Sequence, residues 1–157
     1  MTFSTQFSST AGPLTLEGDD LRLKRLGFGG ASAPQGDAAS LGRAAIQLEQ
    51  YFAGERTEFE LELDLGGTDF ERRVWDEVRS IPYGSTASYA EIAARVGRPG
   101  ACRAVGRANA RNPIAVVVPC HRVVGSDGSL TGYAGGIEMK RALLELEQRH
   151  APGSAAA

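Results

Sequence analysis

The residues best suited to chemistry in this chain are Pro119-Cys120-His121-Arg122. They directly follow an apolar run, Ile114-Ala115-Val116-Val117-Val118, which reads as a buried β-branched strand with a thiol at its mouth. The thiolate is the nucleophilic form of cysteine, and a neighbouring cation favours it. Two potentially cationic residues follow Cys120, so placement and charge both point to an activated nucleophile with His121 beside it. The second cysteine, Cys102, lies in a run of small residues and reads as a helix position. Two cysteines and two histidines in 157 residues include no Cys-x-x-Cys and no paired histidines, so no zinc site is expected.

The net charge of −2 conceals an asymmetry. Between Arg79 and Gly125 there are seven arginines, no lysine and one acid, Glu91, which gives that stretch +6 and leaves −8 for the rest. A basic segment in an otherwise acidic chain is either a local polyanion site or a solvated arginine-rich surface with acidic neighbours folded against it. No stretch is long and apolar enough to span a bilayer, so no membrane partner is expected. Met1–Thr10 lacks a basic region followed by an apolar one, which argues against a secretory signal and for the cytoplasm.

Two differently organised parts must position Cys120. In residues 1–67 the stretches 2–7, 14–17 and 21–26 read as short strands separated by Gly12-Pro13 and Gly18-Asp19-Asp20. Gly27–Gly36 is a loop with no Gly-Lys-Ser/Thr, hence no phosphate loop. Residues 37–52 read as a helix with Leu41, Ala45, Leu48 and Phe52 inward. Phe59, Leu61, Leu63 and Leu65 alternate as one further strand before Gly66-Gly67.

Residues 68–150 read as mainly helical. Thr68-x-x-Glu71 and Ser88-x-x-Glu91 are capping boxes that open two helices. After the turn at Gly97–Gly100 comes a third helix, from Ala101 to about Arg111, giving helix-turn-helix spacing. That third helix is slim (Ala101, Cys102, Ala104, Gly106, Ala108, Ala110), with Arg103 and Arg107 four apart on one face. A slim basic helix suits a minor groove about 6 Å wide. Asp127-Gly128 is a hairpin turn signal, and 137–148 reads as a final helix with Glu147 in its last turn. Residues 151–157 read as a disordered tail. The fold class is therefore α+β: a small N-terminal domain of antiparallel sheet plus helix, then a mainly helical domain bearing a helix-turn-helix and a cysteine loop.

The segment from Asn112 to Val124, with Arg103-Ala-Val-Gly106 before it and Gly132-Tyr-Ala-Gly-Gly136 and Lys140-x-x-Leu143-Leu144-x-x-Glu147 after it, resembles the O6-alkylguanine-DNA alkyltransferases. The likeness is dense from Thr68 to about Gln148 and thin before it. It implies DNA repair by direct reversal, a one-shot transfer of an alkyl group from O6-alkylguanine to Cys120, with O4-alkylthymine as a second candidate substrate. It implies no cofactor. By this resemblance His121 acts as base through a bridging water, Glu147 orients the imidazole, Asn112 braces the turn before the active loop, and Tyr89 donates to the departing base. Arg103 would fill the gap left by a flipped nucleotide in the minor groove of double-stranded DNA. Ser88, Tyr89, Gly106, Arg107 and Arg111 would contact DNA, and Val123, Tyr133, Ala134 and Gly135 would line the base pocket of a monomer.

Ala134 and Asn109 depart from some relatives, which carry serine and a larger apolar residue there. Zinc ligands that some members carry in the N-terminal part are absent. Three rival readings remain. Lesion sensors of the same fold carry tryptophan in place of Cys120; a helix-turn-helix regulator would use Cys120 structurally or as a redox switch; a cysteine hydrolase would need an oxyanion pocket that nothing here signals.

Overall fold

The computed structural model describes residues 1–152, so most of the expected tail lies outside the described residues. Three strands, β1 (Phe3–Ser9), β2 (Gly12–Gly18) and β3 (Leu23–Gly27), form an antiparallel sheet in the order β1-β2-β3. Helix α1 (Ala39–Phe52) packs on this sheet through Leu41, Ala44, Leu48 and Tyr51. That face differs from the expected one by a small rotation: Phe52 is only partly buried, whereas Tyr51 is fully enclosed.

Helix α2 (Asp69–Arg79) and helix α3 (Tyr89–Arg95) both start at the expected capping boxes, each with reciprocal side-chain and backbone hydrogen bonds. Helix α4 (Cys102–Ala110) packs across α2 and α3, and the Trp75 indole donates to the Ala108 carbonyl at 2.8 Å. A two-residue strand, β4 (Ala87–Ser88), precedes α3 and pairs in parallel with β5 (Val123–Val124). Helix α5 (Ile137–His150) closes the molecule. The α+β class is as expected, and one continuous apolar core draws residues from both halves.

Two expected strands are absent. Residues 59–65 run extended with Phe59, Leu61, Leu63 and Leu65 facing inward, but they touch the sheet at one bridge, Leu23 to Leu63. The outer edge of β3 is divided: Leu23 bonds to Glu62 and Asp64, while Leu26 bonds to Pro113 and Ala115. Alternating burial shows an extended chain, but a strand also needs a ladder, and here another segment takes the remaining edge.

The second absent strand is Ile114–Val118. This run folds back on itself, with Val118 N donating to the Ile114 carbonyl at 3.0 Å and Val116 at φ 71°. A β-branched residue in the left-handed region is strained, and the surroundings must enforce it. Asn112 does so: its Oδ1 accepts from Ile114 N at 3.0 Å and its Nδ2 donates to the Val118 carbonyl at 2.8 Å. A continuous apolar run marks burial in every direction, which a buried turn satisfies as well as a strand.

Candidate active site

Cys120 opens a single turn of 3-10 helix, Cys120–Arg122, held on one side by the Asn112-clasped turn and on the other by the β4–β5 pair. Its side chain lines a cleft of about 970 Å³ whose walls come from β3, α3, α4 and the loop before α5. Tyr89, Arg103, Gly106, Asn112, Tyr133 and Ala134 share that cleft with it. Val123 lies behind, fully buried, with its carbonyl on Lys140 Nζ at 2.7 Å. Ser88 caps α3 and is buried, and Gly135 is packed tightly: a Cβ there would meet Met139 and the Phe28 ring, each at 2.7 Å.

His121 and Glu147 are completely buried behind the turn, where His121 Nε2 meets Glu147 Oε2 at 2.7 Å. The other imidazole nitrogen, Nδ1, is buried and has no hydrogen-bond partner among the protein atoms. Burial pushes the His121 pKa below its ordinary value against the pull of Glu147, so the ring is neutral at neutral pH. Burial works against the Glu147 charge too, but hydrogen bonds and charge from His121 and Arg122 prevail and hold that carboxyl at about 2.

The electrostatics of Cys120 differ from the expectation. Burial raises its pKa above the ordinary thiol value, only partly offset by the Asn112 amide and the Lys140 charge. Neither residue following it in sequence acts as a cationic activator. The Arg122 guanidinium turns inward and donates to Glu147 through Nε at 2.7 Å and Nη2 at 3.0 Å, and to the Ile81 carbonyl through Nη1. Arg122 therefore does not belong to the basic surface, and Cys120 rests as a thiol that needs a base.

The surface of α4 carries Arg103 and Arg107, both exposed and without a salt bridge among the described residues. Arg111 is exposed as well and lies 3.7 Å from Glu71. A Cβ on Gly106 would sit 3.9 Å from the Tyr89 ring, an ordinary contact, so the protein's own packing does not require glycine there. Tyr89 Oη is hydrogen-bonded to Thr131 Oγ1 at 2.8 Å, which ties α3 to the pocket loop.

Several participants were invisible in the sequence. Asn109, on α4, donates to the Cys120 carbonyl at 3.2 Å and so couples the basic helix to the thiol's backbone. Phe28 packs edge-on against Tyr133 at 5.6 Å and walls the cleft from the N-terminal side. Its loop is held by Arg25, which donates to the Phe28 and Gly30 carbonyls while paired with buried Glu17. Arg122 turns inward from the basic segment, and Tyr51 takes the inward place expected of Phe52 and donates to Glu147.

Comparison with known proteins agrees with this arrangement. A family model described as the DNA binding domain of 6-O-methylguanine DNA methyltransferase matches residues 69–149. A second, described as the ribonuclease-like domain of 6-O-methylguanine DNA methyltransferase, matches residues 3–65. The Methylated-DNA--protein-cysteine methyltransferase of Mycobacterium tuberculosis is 62% identical over 116 residues, covering 74% of this chain and 70% of that protein. The protein of the same name from Methanosarcina acetivorans is 47% identical over 148 residues, covering 90% of this chain and 95% of its own length. The crystal structure of Mycobacterium tuberculosis OGT in complex with DNA has a TM-score of 0.89 at 52% identity, over 97% of this chain and 96% of that one. The chain belongs to the 6-O-methylguanine DNA methyltransferase family.

Proposed function

We propose that this protein repairs DNA by direct reversal, taking the alkyl group from O6-alkylguanine onto Cys120 and keeping it. The observation that carries this reading is the buried relay behind the cleft. Cys120 lines the cleft, His121 is neutral with Nδ1 unpaired, and Glu147 holds Nε2 at 2.7 Å. This arrangement supports a reading of Cys120 as nucleophile, His121 as base and Glu147 as orienter.

In this scheme the Cys120 thiol gives its proton to His121 through a bridging water. The sulfur attacks the alkyl carbon, the C–O6 bond breaks as the S–C bond forms, and the departing guanine is neutralised by a proton, with Tyr89 donating to the base. The product thioether has no route back, so each copy acts once and needs no cofactor. Residues 68–150 carry the chemistry and residues 1–67 brace it. A base edge inside a duplex is unreachable for a thiol at the bottom of a cleft, so the nucleotide must be flipped out. Extrusion costs a few kcal/mol and least for a poorly paired, damaged base. Exposed Arg103 and Arg107 on slim α4 support entry through the minor groove by a monomer, with Arg103 filling the gap. No helix among the described residues is long and apolar enough to cross a membrane, and an acceptor that must stay a free thiol suits the cytoplasm.

The test is intact-mass measurement after incubation with O6-methylguanine duplex DNA, followed by peptide mapping. One methyl group per chain, on the Cys120 peptide and absent from Cys120→Ala, is the expected result. Unmodified protein that still binds the lesion would replace this reading with lesion sensing.

A further inference from the structure

Tyr51 stands outside the reaction scheme above, yet it touches that scheme's most constrained group. It lies in the last turn of α1, in the N-terminal half, with no solvent exposure. Its hydroxyl donates to Glu147 Oε2 at 2.5 Å, across 96 residues of sequence. The same oxygen receives His121 Nε2 at 2.7 Å and Arg122 Nη2 at 3.0 Å, while Oε1 receives Arg122 Nε at 2.7 Å.

We propose that Tyr51 is a positioning residue for alkyl transfer: its phenol fixes the Glu147 carboxylate and shares its charge, and so sets the basicity of His121. The inference rests on the functional reading above and gives the N-terminal half a part in accepting the proton. Three donors on one oxygen compete for the same electron density. Each additional donor stabilises the carboxylate and weakens its pull on the imidazole. A phenol can do this without adding positive charge beside His121, which a second guanidinium could not.

The donor role is enforced. Burial and the neighbouring Glu147 charge push the Tyr51 pKa well above its ordinary value, so the hydroxyl keeps its proton. The ring is held by the edge of Tyr83 at 6.2 Å and by Phe59 at 5.5 Å, and neither contact uses the hydroxyl. The charged and titratable groups around His121 are Glu147 and Lys140 from α5, Arg122 and Cys120 from its own turn, Tyr51 from α1, and Tyr83, which lies under the Arg122 guanidinium. Of the two phenols among them, Tyr51 is the one whose hydroxyl bonds Glu147, and that hydroxyl can be removed with the charge count and the ring packing unchanged.

The experiment compares wild type with Tyr51→Phe in two readouts. One is the imidazole titration of His121 by NMR, with His150, the chain's other histidine, as internal reference. The other is the rate of transfer from O6-methylguanine duplex DNA as a function of pH. Removing the phenol returns charge to Oε2, so the His121 pKa rises by about half a unit or more while His150 stays unmoved. The acid limb of the rate profile moves up with it, so transfer slows by up to about threefold on that limb and is unchanged near pH 8.5. An unchanged His121 titration overturns the proposal, including when the rate falls equally at every pH, because that pattern means packing alone. If wild type takes no alkyl group from lesion DNA, the functional reading fails, and the His121 titration still decides the role of Tyr51.

Discussion

Burial sets the resting state of Cys120. Its thiol lies above the ordinary range for cysteine, and the imidazole that follows it in sequence is itself sealed from solvent. Cys102, by contrast, is exposed on α4. Brief treatment with iodoacetamide at neutral pH is therefore expected to label Cys102 at least about tenfold faster than Cys120, read by peptide mapping. Equal rates would mean that Cys120 is already a thiolate. At this scale Pro-Cys-His-Arg marks the cysteine that lines the cleft, but not its electrostatics. Neighbours in sequence need not point at one another, and the 3-10 turn sends the Arg122 side chain to Glu147 instead.

Helix α4 links the basic surface to the cysteine turn, since its outer face carries Arg103 and Arg107 and its inner face carries Asn109 on the Cys120 carbonyl. Gly106 stands between these faces with room for a methyl group on the protein side. Gly106→Ala is thus expected to keep the fold and raise helix stability by up to about 1 kcal/mol. It should also weaken binding to duplex DNA where backbone and helix meet. Thermal unfolding and a DNA titration at fixed salt separate the two effects, and unchanged DNA affinity would remove Gly106 from the interface. The helices were readable because capping boxes and helical periodicity are local signals, and Thr68 and Ser88 act as their sequence announces. The segments 59–65 and 114–118 were misread because pairing is non-local. One lacks a ladder, and the other is bent by the Asn112 side chain.

The two halves meet along the divided edge of β3 and at Glu147, where α1, the active turn and α5 converge. This convergence makes the whole molecule acid-sensitive in a definite window. The His121 pKa is lowered by folding, so its contribution is present above its ordinary 6.5 and is lost as pH falls below that value. Glu147 is held at about 2, so its contribution is present above its ordinary 4.5 and is lost as pH falls from there toward 2. Urea midpoints are accordingly expected to fall from pH 7 toward pH 3, and Glu147→Gln should flatten the lower part of that fall. A wild-type midpoint constant across this range would contradict the buried pairing. The sequence could not disclose the convergence, because hydropathy favours Phe52 over Tyr51 as the inward residue, and only the phase of α1 on the sheet places the phenol.

The position of Glu147 on α5 also has a consequence for the order of synthesis. A chain emerging from the ribosome presents the arginine face of α4 and the Cys120 turn before Glu147 is available to either His121 or Arg122. Until α5 docks, Arg122 lacks its counter-charge and Tyr51 its acceptor. The nascent protein therefore cannot complete its interior ahead of its reactive centre. On the proposed mechanism, a chain lacking α5 would hold its cysteine without an oriented base.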